Sequence, residues 1–195
     1  MKQTSTRGTG PDFSLSGRVA IITGGAGLLG VKHAEAIAAA GGIPVLADIR
    51  GPDAIAAADR IASATGTTAI GLECDITNEK SVEQLLRTIL DRFGHVDILV
   101  NNAANNPKVE GTGRDFSRLE EFQLDQENAD VAVELTGSFV CAKIIGRSMA
   151  ESGRGVIVNI SSEYGLIAPD QRLYLKDGEP SDRQPKKPVS YTVVK

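Results

Sequence analysis

The sequence predicts an α/β fold built on a doubly wound parallel sheet. Short apolar runs alternate along the chain with segments of helical periodicity. This alternation is typical of parallel strands joined by helical crossovers. The first apolar run leads into a glycine-rich turn that opens a helix, and the second run ends in an acidic residue, Asp48. We therefore expect one sheet with helices on both faces and a crevice at the carboxyl ends of its strands.

The first half of the chain predicts three strands and two helices. The predicted strands are 19–22, 43–48 and 68–74, and the predicted helices end at residue 40 and span 52–65. The first strand is a short apolar run suited to burial on both faces. Gly41 and Gly42 end the helix that follows it. Pro44 lies near the start of the second strand, where a missing N–H is tolerated.

The second half predicts two longer helices, 79–93 and 125–152, and strands over 96–100 and 155–161. In the first of these helices the apolar residues from Val82 to Phe93 form one stripe, and Gly94 stands at its C-terminal cap. Residues 166–188 are polar and proline-bearing, and they are too long for an ordinary connection. Because this segment leaves the carboxyl end of a strand, we predict a substrate-side lid rather than a disordered insert.

Composition predicts one domain and excludes several classes of protein. The chain has 195 residues, and its 21 Lys and Arg against 25 Asp and Glu give a net charge of −4. This mild acidity argues against a nucleic-acid partner. Since no apolar run approaches the roughly 20 residues that span a bilayer, we predict no membrane partner and a cytoplasmic location. Residues 1–14 are interpreted as a flexible leader and residues 15–195 as a dinucleotide-binding and catalytic domain.

Neither the cysteines nor the histidines predict a metal site. Cys74 and Cys141 lie far apart in different predicted elements, so we expect two buried, reduced thiols. The chain has two histidines and no clustered Cys and His spacing, which argues against a zinc site.

The glycine-rich turn over residues 23–30 reads TGGAGLLG. Gly25, Gly27 and Gly30 fit the G-x-G-x-x-G dinucleotide fingerprint. Such small residues let a pyrophosphate approach the N–H groups at a helix N-terminus. The position between a strand and a helix indicates a Rossmann topology.

Asp48 ends the second strand about 20 residues after the glycine-rich turn. An acidic residue at this distance is expected to bind the ribose of a dinucleotide. A carboxylate there accepts hydrogen bonds from both ribose hydroxyls and repels a 2′-phosphate. The next residue, Ile49, is not basic, although Arg50 follows it. NAD is therefore predicted in preference to NADP. The alternative for Asp48 is a turn residue at a strand end.

The last five residues place Tyr191 four positions before Lys195. In a helix these side chains lie on one face, so that the ammonium can stand beside the phenol. A positive charge favours the phenolate, which an acid/base catalyst near neutral pH requires. Taken alone, the pair is more typical of two residues on a helix surface, and it indicates catalysis only together with the motifs upstream of it.

Five features in this order resemble the short-chain dehydrogenase/reductase family. They are TGGAGLLG at 23–30, Asp48, CDI at 74–76, VDILVNNAA at 96–104, and VNISS at 158–162 followed by the Tyr191 and Lys195 pair. The resemblance covers residues 15–195. It implies a Rossmann-fold oxidoreductase that transfers hydride between a nicotinamide cofactor and an alcohol or carbonyl substrate.

The resemblance also implies roles for individual residues. It implies that Ser162 bonds the substrate oxygen, with Ser161 as the alternative. It further implies that Tyr191 transfers the proton and that Lys195 binds the nicotinamide ribose and favours the phenolate. Asn101 would steady the sheet beside the cofactor. The expected cofactor site contains Tyr191 and Lys195 and fourteen further residues: Thr23, Gly24, Gly25, Gly27, Leu28, Leu29, Gly30, Asp48, Ile49, Asp75, Ile76, Asn102, Ala103 and Ala104.

Three features depart from the family pattern. Glu134 stands where many members carry a catalytic asparagine, and it either holds a proton-relay water or is a solvated or capping residue. Leu28 replaces a glycine of the simple reductases. This spacing and the long 166–188 segment resemble the branch that acts on nucleotide-linked sugars, whereas NNAA at 101–104 resembles the reductases. The combination resembles oxidoreductases of surface-sugar and flagellin-glycan pathways. Relatives also continue beyond the Tyr191 and Lys195 pair with further strands, which are missing from this chain.

Two alternatives to the oxidoreductase stay open. One is a nucleotide-sugar epimerase or dehydratase with tightly bound NAD, and the other is a non-catalytic NAD-binding scaffold. The resemblance implies a small-molecule alcohol, ketone or sugar as substrate, and a homodimer or homotetramer as the assembly.

Overall fold

The structure is a computed structural model that describes residues 13–105, 119–180 and 184–195. In this part of the chain five parallel strands form one sheet in the order β3-β2-β1-β4-β5. The strands are β1 (Val19–Thr23), β2 (Ile43–Asp48), β3 (Ile70–Glu73), β4 (Ile98–Asn101) and β5 (Val156–Asn159). The strand order reverses between β1 and β4, and the predicted doubly wound parallel sheet is confirmed.

Helices connect the strands and end at local signals. They are α1 (Leu28–Ala39), α2 (Gly51–Thr65), α3 (Glu79–Phe93), α4 (Leu124–Val131), α5 (Ser138–Glu151) and α6 (Val189–Val194). At the start of α3 the Asn78 side chain accepts the Lys80 N–H at 3.0 Å. At its end Gly94 takes a left-handed φ of 77°. These caps explain why α3 has the predicted bounds.

The core forms two layers, one on each face of the sheet. Alternate strand residues point to opposite faces, since the side-chain period of a strand is two. Ile22 and Leu46 pack against α1 and α2, whereas Ile21 and Val45 pack against α3 and α5. All four side chains are fully buried. Each such burial stabilises the fold by about 1.5–3 kcal/mol.

The predicted helix over 125–152 is interrupted. Between α4 and α5, Ala132–Gly137 forms a π-helical segment with a wider turn. A side chain at Gly137 would come within 2.7 Å of Ile76 Cδ1, so the segment presses against the loop after β3. π-Helical turns occur frequently at functional sites. This segment carries Glu134 into the interior.

Strand β5 lies at the edge of the sheet and is more exposed than a buried parallel strand. Val156 and Val158 retain 51% and 41% of their accessible surface. The strand is also shorter than predicted, because it pairs only with β4 over four residues. Among the described residues, no helix is both long and apolar enough to cross a membrane. Most of the predicted leader and residues 181–183 of the predicted lid lie outside the described residues.

Candidate active site

The glycine-rich turn between β1 and α1 brings backbone segments into close contact. A Cβ at Gly24 would lie 2.8 Å from the Cα of Ala103, and one at Gly25 would lie 2.7 Å from the Cα of Leu46. At Gly30 an added Cβ would meet the carbonyl oxygen of Gly24 and lie 2.8 Å from Gly25 Cα. Only glycine fits these positions. The turn thus forms a cradle whose backbone a ligand can approach closely.

The N-terminus of α1 opens on this cradle. Its N-cap residue, Gly27, supplies no side-chain hydrogen bond. The first N–H groups of a helix lack intrahelical partners and carry a partial positive charge. They are therefore suited to hold a pyrophosphate.

A groove of about 560 Å³ runs along the carboxyl ends of β1, β2 and β4. Most of the predicted cofactor residues line it: Gly24, Gly27, Leu28, Leu29, Asp48, Ile49, Asp75, Ile76, Asn102, Ala103 and Ala104. Five further lining residues were not among the predicted cofactor residues: Arg50, Cys74, Thr77, Asn105 and Val133. Asn105 directly follows the NNAA motif, so its position in the sequence could have identified it.

Thr23, a predicted cofactor residue, lies beneath the groove and is fully buried. Its hydroxyl oxygen accepts the N–H groups of Asn102 and Ala103 at 3.0 and 3.1 Å. The Asn102 side chain donates in return to the Thr23 carbonyl at 2.9 Å. These bonds join the ends of β1 and β4, and Thr23 shapes the groove without lining it.

Asp48 is held in the groove by backbone donors. Its two carboxylate oxygens accept the N–H groups of Ala26 and Arg50, each at 3.0 Å. The Arg50 guanidinium lies 3.6 Å from Asp48 and 3.1 Å from Asp53, so two carboxylates balance its charge. A carboxylate oxygen has two acceptor sites, and the Asp48 carboxylate retains capacity for ribose hydroxyls.

Asp75 and Asn101 fix the walls beside the groove. One Asp75 oxygen accepts both the N–H and the hydroxyl of Thr77, at 2.9 and 2.7 Å. The Asn101 amide donates to Asn159 at 2.8 Å and to the Ser138 carbonyl at 3.4 Å. Asn101 therefore joins β4, β5 and α5.

A second, polar cavity of about 300 Å³ adjoins the groove. It lies between the ends of β4 and β5 and the helices α5 and α6. Its polar lining residues are Asn101, Glu134, Ser138, Asn159, Ser161 and Lys195. Ala103 lines both this cavity and the groove. The two spaces are therefore neighbours across one residue.

Tyr191 lies on α6, half-buried, between two ammonium groups. The Nζ of Lys195 lies 5.7 Å from the centre of the Tyr191 ring, and the Nζ of Lys187 lies 3.7 Å from it. The ring also meets Tyr164 edge to face, with centroids 6.3 Å apart. Tyr191 and Lys195 lie near each other, although the Lys195 ammonium pairs with a different side chain, and Lys187 is a second cation that the sequence motifs did not identify.

Lys195 forms an ion pair with Glu134. Its Nζ lies 2.8 Å from a Glu134 carboxylate oxygen, and the side chains are 9% and 2% exposed. Burial raises the pKa of Glu134, which Lys195 and a hydrogen bond from the Asn105 N–H oppose. The interpretation of Glu134 as a solvated residue is therefore wrong.

The two candidate serines occupy different positions. The Ser161 hydroxyl lines the polar cavity and donates to the Lys195 main-chain oxygen at 2.5 Å. The Ser162 oxygen accepts the Tyr164 N–H at 3.3 Å and caps the short 3-10 turn Glu163–Gly165. Ser162 thus supports the turn that carries Tyr164 against Tyr191. The preference for Ser162 as the substrate-binding serine stays a prediction.

Known proteins are similar to this chain in sequence and in architecture. A family model described as short chain dehydrogenase matches residues 18–173. The chain is 33% identical over 162 residues to a D-threitol dehydrogenase of Mycolicibacterium smegmatis, covering 83% of this chain and 59% of that protein. It is also 33% identical over 170 residues to an NAD-dependent glycerol dehydrogenase of Listeria innocua, covering 86% of this chain and 61% of that protein.

A solved structure shows the same arrangement. The NADPH-dependent 3-quinuclidinone reductase from Rhodotorula rubra superposes with a TM-score of 0.75 at 25% identity. The match covers 99% of this chain and 65% of that one. The chain thus spans about three fifths of the length of the curated relatives named above.

Proposed function

The chain belongs to the short-chain dehydrogenase family, and we propose that it forms the cofactor-binding and catalytic part of an oxidoreductase. The reaction is hydride transfer between a nicotinamide cofactor and an alcohol or carbonyl substrate. One observation carries the proposal: the groove that fits a dinucleotide and the cavity that holds Lys195 share Ala103. A cofactor in the groove would thus end beside the cavity lined by Ser161 and Lys195.

The residues of the groove fit a dinucleotide. The glycine cradle lets a pyrophosphate approach the backbone. Side chains at Gly24 or Gly30 would clash with neighbouring backbone atoms. Asp48 would hold the adenosine ribose, and the Asp75–Ile76 segment would line the adenine pocket. When bound, the nicotinamide supplies the hydride acceptor.

The protein's own residues would handle the proton. In the oxidising direction, the Tyr191 phenolate takes the proton of the substrate hydroxyl as a hydride leaves the adjacent carbon. Ser162, or alternatively Ser161, donates a hydrogen bond to the substrate oxygen. Lys195, paired with Glu134, would bind the nicotinamide ribose. In the reducing direction the phenol returns the proton to the carbonyl oxygen.

We propose NAD as the preferred cofactor. The support is the Asp48 carboxylate, which would repel a 2′-phosphate, and the pairing of Arg50 with two carboxylates. One named relative is NAD-dependent and one matched structure is NADPH-dependent. The proposal therefore rests on Asp48 rather than on the relatives.

We propose a small polyhydroxylated alcohol, or its carbonyl form, as the substrate. Its support is the pair of relatives named for D-threitol and glycerol. A surface-glycan sugar is the narrower candidate, and these relatives' names do not support it.

We also propose a cytoplasmic homodimer or homotetramer. Exposed Leu124 on α4 and Phe139 on α5, at 71% and 66%, support an assembly through these helices.

The test uses the full-length protein with NAD or NADP and a panel of polyols. We expect NAD reduction with at least one polyol. We expect Tyr191→Phe to lower kcat by about 100-fold or more, the usual range for losing an acid/base group, while NAD binding persists. Bound NAD without net NADH release would favour the epimerase alternative. Retained NAD affinity with no effect of Tyr191→Phe would favour the scaffold.

A further inference from the structure

A short 3-10 turn in the 166–188 segment, Gln171–Tyr174, is joined to the start of α6. The Gln171 side-chain amide makes two hydrogen bonds with the main chain of Lys187, sixteen positions further on. Its oxygen accepts the Lys187 N–H at 2.9 Å, and its nitrogen donates to the Lys187 carbonyl at 3.2 Å. Lys187 directly precedes Pro188, the N-cap residue of α6. The amide therefore holds the chain where it enters the helix.

The first turn of α6 depends on contacts made before the helix begins. The first four N–H groups of a helix have no partner within it. A polar side chain at the N-cap usually accepts one of them, but Pro188 makes no side-chain cap bond. Tyr191 is the third residue of α6 and lies within this turn. The position of Tyr191 therefore depends on what holds the chain that enters α6.

The 3-10 turn also reaches Tyr191 through side chains. Tyr174, at the end of the turn, shares a hydrogen bond with the Tyr164 side chain. The Tyr164 ring in turn meets the Tyr191 ring edge to face, with centroids 6.3 Å apart. Asp170 caps the turn by accepting the Arg172 N–H at 3.0 Å. One capped turn thus contacts Tyr191 by two routes, through the main chain before it and through the ring beside it.

Gln184 makes a similar set of bonds in the middle of the same segment. Its oxygen accepts the Lys176 N–H at 2.7 Å. Its nitrogen donates to the carbonyls of Lys176 and Glu179 at 3.0 and 2.7 Å. Both glutamines therefore hold main-chain groups of the segment, and the bonds of Gln171 are those made at the entry to α6.

We propose that Gln171 is a positioning residue for proton transfer: its amide fixes the entry to α6 and thereby the place of the Tyr191 hydroxyl. This inference rests on the proposed function in taking Tyr191 as the acid/base group. A displacement of about 1 Å at a reacting group can cost roughly 100-fold in rate, so a residue outside the reacting centre can control the rate in this way. The proposal assigns a part in catalysis to the 166–188 segment, outside the Tyr-x-x-x-Lys motif.

The experiment compares Gln171→Met with Gln184→Met as the matched control. Both substitutions keep a side chain of similar length and remove an amide that bonds the main chain. We expect Gln171→Met to lower kcat per NAD-binding site by about tenfold or more, with the KM for the polyol unchanged. An interaction that acts only in the transition state lowers kcat and kcat/KM equally. Gln184→Met should keep the kcat of the intact protein.

A second readout does not depend on catalysis. Amide hydrogen exchange, followed by mass spectrometry of peptides, measures how often each part of the segment opens. In Gln171→Met the Lys187 N–H loses its acceptor, so the amides of residues 187 and 189–191 should exchange faster. In Gln184→Met the faster exchange should instead occur at Lys176. NAD binding, measured by calorimetry, counts the folded sites in each variant.

Three results would overturn the role of Gln171. They are an unchanged kcat or a change in KM alone in Gln171→Met, an equal loss of kcat in Gln184→Met, and unchanged exchange at residues 187 and 189–191. If the intact protein oxidises none of the polyols, the proposed function fails by itself. The exchange experiment then still decides whether Gln171 holds the entry to α6.

Discussion

Replacing Asp48 by asparagine tests the cofactor site most directly. The Asp48 carboxylate closes the end of the groove beside β2 and accepts the N–H groups of Ala26 and Arg50. The substitution keeps the size of the side chain and one oxygen acceptor but removes the negative charge. We expect weaker binding of NAD, stronger binding of NADP, and little change in the fold.

The magnitude follows from two interactions. Hydrogen bonds to a charged acceptor exceed those to a neutral one by about 1 kcal/mol, so NAD affinity should fall by roughly fivefold. Repulsion between unit charges about 4 Å apart is about 1 kcal/mol in water and about 4 kcal/mol near a protein surface. Taking about 2 kcal/mol for the open groove, NADP affinity should rise by roughly 30-fold. The NADP-to-NAD preference should therefore change by about 150-fold.

Arg50 adds to the change in the same direction. Its guanidinium is 3.6 Å from Asp48 and 3.1 Å from Asp53. Without the Asp48 charge it has one carboxylate partner, and it becomes a better donor to a 2′-phosphate. Asp53→Asn is the matched control, because it frees Arg50 while the carboxylate of Asp48 stays. We expect it to leave NAD affinity within about threefold, since exposed ion pairs are weak.

The assay measures dissociation constants for NAD and NADP by calorimetry at one fixed salt concentration, with thermal unfolding as a check on the fold. A preference that moves by less than threefold in folded Asp48→Asn would refute the reasoning. Asp48 would then be a turn residue at a strand end, as the sequence also allowed.

Two further predictions concern buried groups. Burial alone would raise the pKa of Asp97, but the Val19 N–H and the Arg18 guanidinium, each at 2.9 Å, hold it below its usual value. The ionised form thus adds stability above the unfolded pKa of about 4, and this is lost as the pH falls. Asp97→Asn should lower the free energy of unfolding by about 2 kcal/mol at pH 7, and by less in acid, as measured by urea titration. A difference that does not shrink below pH 4 would contradict this. Burial also raises the pKa of Cys141 to about 12, so a thiol reagent at pH 8 should label it only in denaturant. Labelling of the folded protein at the rate of the unfolded chain would show that Cys141 is accessible.

Elements with strong local signals were predicted most closely. Helix α3 has its predicted bounds because its amphipathic stripe and both caps lie within a few residues of its ends. Strands β3 and β5 are shorter than their apolar runs suggested. Their lengths depend on the register with a neighbour, and each pairs with only four residues of the adjoining strand. Register is a property of two segments distant in sequence, and a single run does not determine it.

The sequence pattern did not predict the π-helical segment either. Residues 125–152 have a helical pattern throughout, and no proline marks a break in it. The wider turn arises where Gly137 presses against Ile76, which is distant in the sequence. The π-helical segment separates α4 from α5. It carries Glu134, which is buried and forms an ion pair with Lys195.

For this protein the sequence alone determined the alternation of strands and helices, the glycine cradle, Asp48 and the Tyr191 and Lys195 spacing. Each of these depends on neighbouring residues or on one regular repeat. Only the tertiary structure decided that Glu134 neutralises Lys195, that Lys187 covers Tyr191, and that Ser161 lines the polar cavity. These relations join segments that the chain brings together only by folding. Together they form the surroundings of Tyr191 and Lys195, and no single motif contains them.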